Sequence, residues 1–236
     1  MSVAPTLVLL PGLDGTDVFL RPLVAALSPA IRSLVVTYPG SGAEEYRDAF
    51  EVVRRATEGL AEFYVLGLSF SGPLAVMLAA QEPKRVKGVI LAATFVRPPH
   101  PGLRLFRFAC HAPTLWMWRI FRRIPVWVLR SRRDPVRLAK AETLRSVPAR
   151  AFAGRVRAVM DVDVSAALRR CAQPVLCLSF SRDLVVPRWN VDGILREAPT
   201  ATHATVAGGH FRGCTNSGVL AAEVEKFLEK IESGLR

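Results

Sequence analysis

Residues 67–71 read GLSFS and lie between an apolar, β-branched run and a stretch with helical spacing. Small residues two positions before and two positions after the central Ser69 permit a very sharp strand-to-helix turn. Such a turn lifts the Ser69 hydroxyl above the strand end and points the N–H of Phe70 into the same space, at a helix N-terminus. This arrangement is typical of a nucleophilic serine. The alternative interpretation is a serine that caps an ordinary strand-to-helix turn.

The tetrapeptide LSFS occurs a second time, at residues 178–181, and here no helix begins at once. The strand pattern runs on into Arg182 and Asp183, and Pro187 closes the loop that follows. A carboxylate just past a strand end can reach an imidazole, so Asp183 is the candidate acid of this second copy. An aspartate that only caps a turn is the alternative interpretation.

His210 follows a predicted strand directly, after two glycines that make a flexible turn. It is the only histidine with this placement; the others are His100, His111 and His203. A histidine at a strand end is a candidate general base. Alone, it is equally compatible with a histidine in an ordinary loop.

The three candidates gain weight together, because the residues after the third, fifth and sixth strands of a parallel sheet meet at one edge, where ligands bind. Ser69 would attack a carbonyl, His210 would take its proton, and Asp183 would orient the imidazole. In the glycine-rich turn LLPGLDG, the N–H of Leu13 can pair with that of Phe70 around a developing alkoxide. The chemistry requires no metal and no cofactor, and the G-x-G-x-x-G spacing of a dinucleotide site is absent.

Short apolar runs alternate with helical patterns along the chain, which predicts an α/β fold with a mostly parallel sheet of about six strands and helices on both faces. The predicted strands are Leu7–Leu10, Leu34–Tyr38, Phe63–Leu66, Gly88–Ala92, Pro174–Ser179 and Thr202–Val206. The predicted helices of this framework include Tyr46–Leu60, Gly72–Gln81 and Gly218–Ile231.

The motifs, in the chain order Ser, Asp, His, resemble those of the α/β-hydrolase superfamily over nearly the whole sequence. The stretch LVLLPGLDGTDVFLRPL resembles the family's oxyanion strand, VLGLSFSGPLA its nucleophile elbow, and VAGGHFRGCTNSGVLAAEVEKFL its histidine loop and final helix. The brevity and helical cap are similar to those of small carboxylesterases, including the esterases that cleave pimeloyl-carrier-protein methyl ester. Pro11 departs from the family's usual histidine before Gly12, and the superfamily's first two strands are missing, which implies a minimal sheet.

Residues 97–170 interrupt the alternation, starting with the loop signal RPPHPG and continuing with three helical patterns that begin at or near prolines. We interpret this segment as a helical cap inserted into an α/β-hydrolase core of residues 1–96 and 171–236. In its first helical pattern, Trp116, Ile120 and Phe121 belong to an apolar stripe that is expected to roof the substrate pocket.

The chain has a net charge of +12, and the cap segment alone holds 16 arginines and one lysine against four acidic residues, a net charge of +13. Three interpretations stay open: a lid with solvated arginines, docking of an acidic carrier protein, and attachment to an anionic membrane surface. Nucleic acid is not expected as a partner, because no recognition motif accompanies the charge.

The sequence therefore predicts a serine carboxylesterase that acts through an acyl-enzyme on a small-molecule ester with a hydrophobic acyl or alcohol part. The four cysteines show no metal-ligand spacing, and we interpret them as free thiols. Free thiols are typical of the cytoplasm, and no apolar run approaches the roughly 20 residues of a membrane span, so a cytoplasmic location is expected. Two alternatives remain. One is an esterase, thioesterase or acyltransferase acting on acyl groups of an acidic carrier protein; the other is a non-catalytic binding protein with a hydrolase fold.

Overall fold

The computed structural model describes residues 4–100, 102, 134–211 and 216–234. Its centre is a six-stranded sheet with the order β2-β1-β3-β4-β5-β6, and every neighbouring pair of strands is parallel. The strands are β1 (Thr6–Leu10), β2 (Arg32–Val35), β3 (Phe63–Leu68), β4 (Val86–Ala92), β5 (Val175–Phe180) and β6 (Thr202–Val206). This confirms the predicted fold class.

The central strands are buried along almost their whole length, as their continuous apolar runs predict for a sheet covered on both faces. The predicted strand positions agree with the structure to within a few residues. The clearest difference is β2, which ends at Val35 and not at Tyr38. The N–H of Tyr38 leaves the ladder and donates to the carbonyl of Gly15 at 2.8 Å, so this part of the chain joins the loop after β1.

Two layers of helices cover the sheet. The helices are α1 (Arg21–Ala26), α2 (Tyr46–Thr57), α3 (Gly72–Gln81), α4 (Pro135–Ser146), α5 (Ala149–Asp161), α6 (Ser165–Arg170), α7 (Trp189–Glu197) and α8 (Ser217–Glu232). One buried cluster lies between the sheet and α2, α3, α6 and α7, and the other between the sheet and α1 and α8. The apolar spacing of α8 places Leu220, Val224 and Phe227 in the second cluster, as amphipathic periodicity predicts.

The segment predicted to be a cap is described from residue 134 onward. Two of its three helical patterns form α4 and α5, with Pro135 at the start of the first and Pro148 as the N-cap of the second. The following short helix, α6, packs against α3 and α7 of the core. The first helical pattern, with Trp116, Ile120 and Phe121, lies outside the described residues, and the division into core and cap stays a prediction.

Within the described parts of the chain, no helix is both long enough and apolar enough to cross a membrane.

The burial of the central strand can be tested by truncating a side chain. Leu66 of β3 is fully buried, whereas Leu138 of α4 is 57% exposed. Leu66→Ala is expected to lower the free energy of unfolding by about 2–5 kcal/mol, since it removes buried methyl groups and leaves a cavity. Urea denaturation measures the loss, and Leu138→Ala is the control, expected within about 0.5 kcal/mol of the wild type. Equal losses at the two positions would contradict the core position of Leu66.

Candidate active site

Ser69 follows β3 directly and begins the single helical turn Ser69–Ser71 that leads into α3. Its φ is 51°, a left-handed conformation that is unfavourable for a residue with a side chain. The turn leaves no room for a side chain at Gly67, where a Cβ would lie 2.5 Å from the carbonyl oxygen of Ser71. At Gly72 a Cβ would collide with the side chain of Thr94. The expected sharp turn, and the need for small residues in it, are therefore both present.

Ser71 is the other serine of this turn, and its hydroxyl is fully buried and already engaged. It donates a hydrogen bond to the carbonyl of Pro11. Because this uses its only proton, the 2.6 Å contact with Tyr38 has the tyrosine hydroxyl as donor. Burial raises the pKa of Tyr38, which keeps that proton available. Ser71 thus ties the elbow to the loop after β1 and is not placed to attack a substrate.

Asp183 and His210 come from the loops after β5 and β6, and both side chains turn toward Ser69. The Nδ1 of His210 lies 2.7 Å from Oδ2 of Asp183, and its Nε2 lies 3.1 Å from Oγ of Ser69. With the carboxylate as acceptor, Nδ1 carries the proton and Nε2 is free to accept the serine proton. The Asp183 side chain is 3% exposed and that of His210 is 8% exposed, so the pair is shielded from water.

The two loops are joined by main-chain hydrogen bonds that fix their relative position. The N–H of Ser181 donates to the carbonyl of Val206 at 3.0 Å, and the N–H of Arg182 donates to the carbonyl of Gly208 at 2.8 Å. Gly208 has a φ of 135°, which requires glycine. The remaining carboxylate oxygen of Asp183, Oδ1, accepts from the N–H groups of Val185 and Val186, so the acid is held at both oxygens.

Two backbone N–H groups, those of Phe70 and Leu13, were predicted to face the oxyanion. Phe70 N–H lies in the first helical turn after β3, where N–H groups lack an intrahelical acceptor. The peptide that carries it is held at its other end, because the Thr94 hydroxyl donates to the carbonyl of Ser69. Leu13 lies in the turn closed by the hydrogen bond from Gly15 N–H to the Gly12 carbonyl, at 2.9 Å.

Two supporting residues escape the sequence analysis. The Tyr46 hydroxyl donates to the carbonyl of Phe70 at 2.9 Å, and its ring stacks on the Phe70 ring with centroids 4.6 Å apart. The position of Thr94 could have been used to predict its role, because it follows the end of β4 at the same edge of the sheet as Ser69. Tyr46 carried no such signal, because it is one residue of a helix that is distant in sequence.

The structure thus brings Ser69, His210 and Asp183 into one hydrogen-bonded chain, with both predicted N–H donors in the turns beside it. Such a chain can transfer a proton from the serine to the imidazole as the oxygen attacks a carbonyl. Among the residues that the structure describes, no group of three or more His, Cys, Asp or Glu side chains could hold a metal ion.

Comparison with known families gives the classification of the chain. The model of the alpha/beta hydrolase family matches residues 7–217, from the second residue of β1 to the start of α8. The chain belongs to the alpha/beta hydrolase family. Its sheet order and its helices on both faces are those of a hydrolase of this family, and the resemblance to the family seen in the sequence is confirmed. The narrower similarity to pimeloyl-carrier-protein methyl ester esterases stays a prediction.

Individual relatives of this hydrolase differ in what they act on. It is 25% identical to the poly(3-hydroxyalkanoate) depolymerase of Ectopseudomonas oleovorans, over 89% of this chain and 79% of that protein. A solved structure from work on carboxylesterases of Nitrososphaera gargenis has a TM-score of 0.80 and 17% identity, covering 98% of this chain and 92% of that one. The enol-lactonase of Burkholderia xenovorans LB400 has a TM-score of 0.78 and 20% identity, covering 97% and 92%. At these identities the structural likeness establishes the fold alone.

The tight packing of the elbow leads to a prediction about Gly67. Gly67→Ala is expected to lower the free energy of unfolding by about 1–3 kcal/mol, because the new methyl group would press on the main chain of Ser71. Gly59→Ala is the matched control, as a Cβ there meets nothing within 4 Å. Denaturant unfolding of both variants measures the difference. A Gly67 variant as stable as the Gly59 variant would show that the turn can widen freely.

Proposed function

We propose that this hydrolase is a serine carboxylesterase that cleaves carboxylic esters through an acyl-enzyme. The observation that carries the proposal is the continuous chain from Ser69 Oγ to His210 Nε2 at 3.1 Å and from His210 Nδ1 to Asp183 Oδ2 at 2.7 Å. These contacts suit Ser69 as the nucleophile, His210 as the general base and Asp183 as the orienting carboxylate of acyl transfer. No residue outside these three is needed to move the proton.

The reaction would proceed in two halves. In the first, Ser69 Oγ forms a bond to the carbonyl carbon while its proton passes to His210 Nε2, and the same proton then leaves with the alcohol as the ester C–O bond breaks. In the second, His210 takes a proton from water while the water oxygen attacks the acyl carbon. The bond from the acyl carbon to Ser69 Oγ then breaks, His210 returns the proton to Oγ, and the acid is released. The negative charge on the carbonyl oxygen would be stabilised in both halves by the N–H groups of Leu13 and Phe70.

Two further observations favour esters as the substrate class. The names of related proteins that specify a bond, carboxylesterase and enol-lactonase, both refer to open or cyclic esters. Two apolar residues accompany the reacting groups: Leu13 belongs to the predicted oxyanion turn, and the ring of Phe211 meets that of His210 edge-on with centroids 5.3 Å apart. Such neighbours suit a hydrophobic acyl or alcohol part.

The two copies of the LSFS tetrapeptide provide the test. Ser69→Ala is expected to lower kcat/KM for p-nitrophenyl esters by at least about 10⁴-fold, because the nucleophile is removed. Ser179→Ala changes the serine at the same place in the second copy, which bonds to His203 and Thr205 on β6, and should keep activity within about twofold. A series of acyl chain lengths measures the preferred substrate. Full activity in the Ser69 variant would exclude the proposed mechanism.

We also propose acyl groups on an acidic carrier protein as a narrower substrate class. The observation that favours it is the basic segment 97–170, whose Arg145 and Arg150 lie exposed on α4 and at the start of α5. The Arg150 side chain is 80% exposed. Arginines on such a surface suit recognition of the carboxylates of an acidic protein.

The carrier proposal predicts a selective change in KM. With Arg145 and Arg150 both changed to Glu, KM for an ester carried on an acyl-carrier protein is expected to rise about tenfold or more at low salt, while KM for a p-nitrophenyl ester stays the same. Arg32→Glu serves as the control. It reverses an exposed charge at the start of β2, whereas α5 contacts the loop that follows the other end of this strand. An unchanged KM for the carrier-linked ester would exclude carrier docking at this surface.

A further inference from the structure

Arg155 of α5 is buried in a way that sets it apart from the other described arginines of the basic segment. Its exposure is 0%, and it shares the inner face of α5 with Ala151 and Ala158. Burying a guanidinium is costly unless its N–H groups are satisfied, and an arginine kept in such a place has a defined set of partners.

The partners of Arg155 are main-chain carbonyls of two loops. Nη1 donates to the carbonyls of Leu13 and Asp14, at 3.2 and 2.8 Å. Nη2 donates to the carbonyl of Pro39 at 2.9 Å, and Nε to that of Ala43 at 3.1 Å. The planar guanidinium thus joins the loop after β1 to the loop after β2, through groups that no substitution of those loop side chains would remove.

We propose that Arg155 is a positioning residue for the oxyanion site, because it fixes the turn that carries Leu13 N–H. The inference rests on the proposed esterase function and adds a residue to it. In this turn the Gly12 carbonyl is held by the N–H of Gly15, and the next two carbonyls are held by Arg155. The peptides on both sides of Leu13 are therefore fixed, and with them the direction of its N–H.

Gly15 shows that the turn is fitted to the guanidinium. It has a φ of 72°, and a Cβ at this position would collide with the guanidinium of Arg155. The turn has no comparable support from its own N-terminal side, since Pro11 offers neither an N–H nor a polar side chain. The support that comes from there is the hydrogen bond that Ser71 donates to the Pro11 carbonyl. The N–H of Tyr38 holds the Gly15 carbonyl at the far end of the turn, and Arg155 holds the two carbonyls between, from a helix about 140 residues further along the chain.

The charged surroundings of Arg155 are consistent with this role. The Asp14 side chain is bonded by the N–H and hydroxyl of Thr16, and burial raises its pKa while the Arg155 charge acts in the opposite direction. The guanidinium also lies over the ring of Tyr38, 5.4 Å from its centroid. The ring of Tyr38 thus adds a cation–π contact to the hydrogen bonds that hold the guanidinium beside the turn.

Kinetics of Arg155→Met test the proposal, because this substitution keeps most of the apolar part of the side chain and removes the donors. Active sites are first counted with a p-nitrophenyl phosphonate that reacts once with Ser69. Per counted site, kcat for a p-nitrophenyl ester is expected to fall about tenfold to hundredfold, with KM changed less than about threefold, because an oxyanion donor acts mainly in the transition state. Affinity for a trifluoromethyl ketone, whose adduct carries an oxyanion, is expected to fall by a similar factor. Arg157→Met, at a partly exposed position of the same helix, should leave both quantities unchanged.

Two outcomes would overturn the proposal. One is a folded Arg155→Met protein that melts at a lower temperature but keeps kcat per site and ketone affinity, since its role would then be structural only. If that variant does not fold, Arg155→Lys retains the buried charge but has too few donors for four carbonyls in two loops, and unchanged kcat per site there would also overturn it. A wild type that neither hydrolyses esters nor reacts with the phosphonate would instead reject the proposed function itself.

Discussion

The close contact between the end of β3 and the first turn of α3 is the constraint on which the rest of the site depends. Gly67 and Gly72 have no room for a Cβ, and their neighbours force Ser69 into a left-handed conformation with a φ of 51°. That strain is kept because β3 is buried over its whole length and α3 over its first turns, so the two cannot move apart without opening the core. The serine hydroxyl therefore stays where the loops of β5 and β6 can reach it.

The hydrogen-bonded groups around Ser69 come from parts of the chain that share only the carboxyl edge of the parallel sheet. Thr94 follows β4, Asp183 follows β5 and His210 follows β6, and each meets the serine or its neighbours at this edge. Side chains that are 3% and 8% exposed interact in a medium of lower dielectric than water, so the pair of Asp183 and His210 is held more strongly than a surface pair. The packing of the loops over the strand ends both buries the side chains of Asp183 and His210 and places them near Ser69.

The two expected oxyanion donors depend on different supports. The peptide of Phe70 is held by Thr94 and Tyr46, which belong to the core on either side of the elbow. The turn of Leu13 is held by Ser71 from the elbow and by Arg155 from α5. Among the described arginines of the basic segment, Arg155 is fully buried, whereas the Arg150 side chain is 80% exposed.

The sequence by itself determined the order of strands and helices and the three residues at strand ends, because apolar runs, glycines and the elbow spacing are local signals. The tertiary structure decided which partners these residues meet. Nothing in the sequence distinguishes Arg155 from its many arginine neighbours except its place on the inner face of α5, and nothing there links it to Leu13. Hydrogen bonds to main-chain carbonyls cannot be predicted from residue types, because every residue offers the same acceptor.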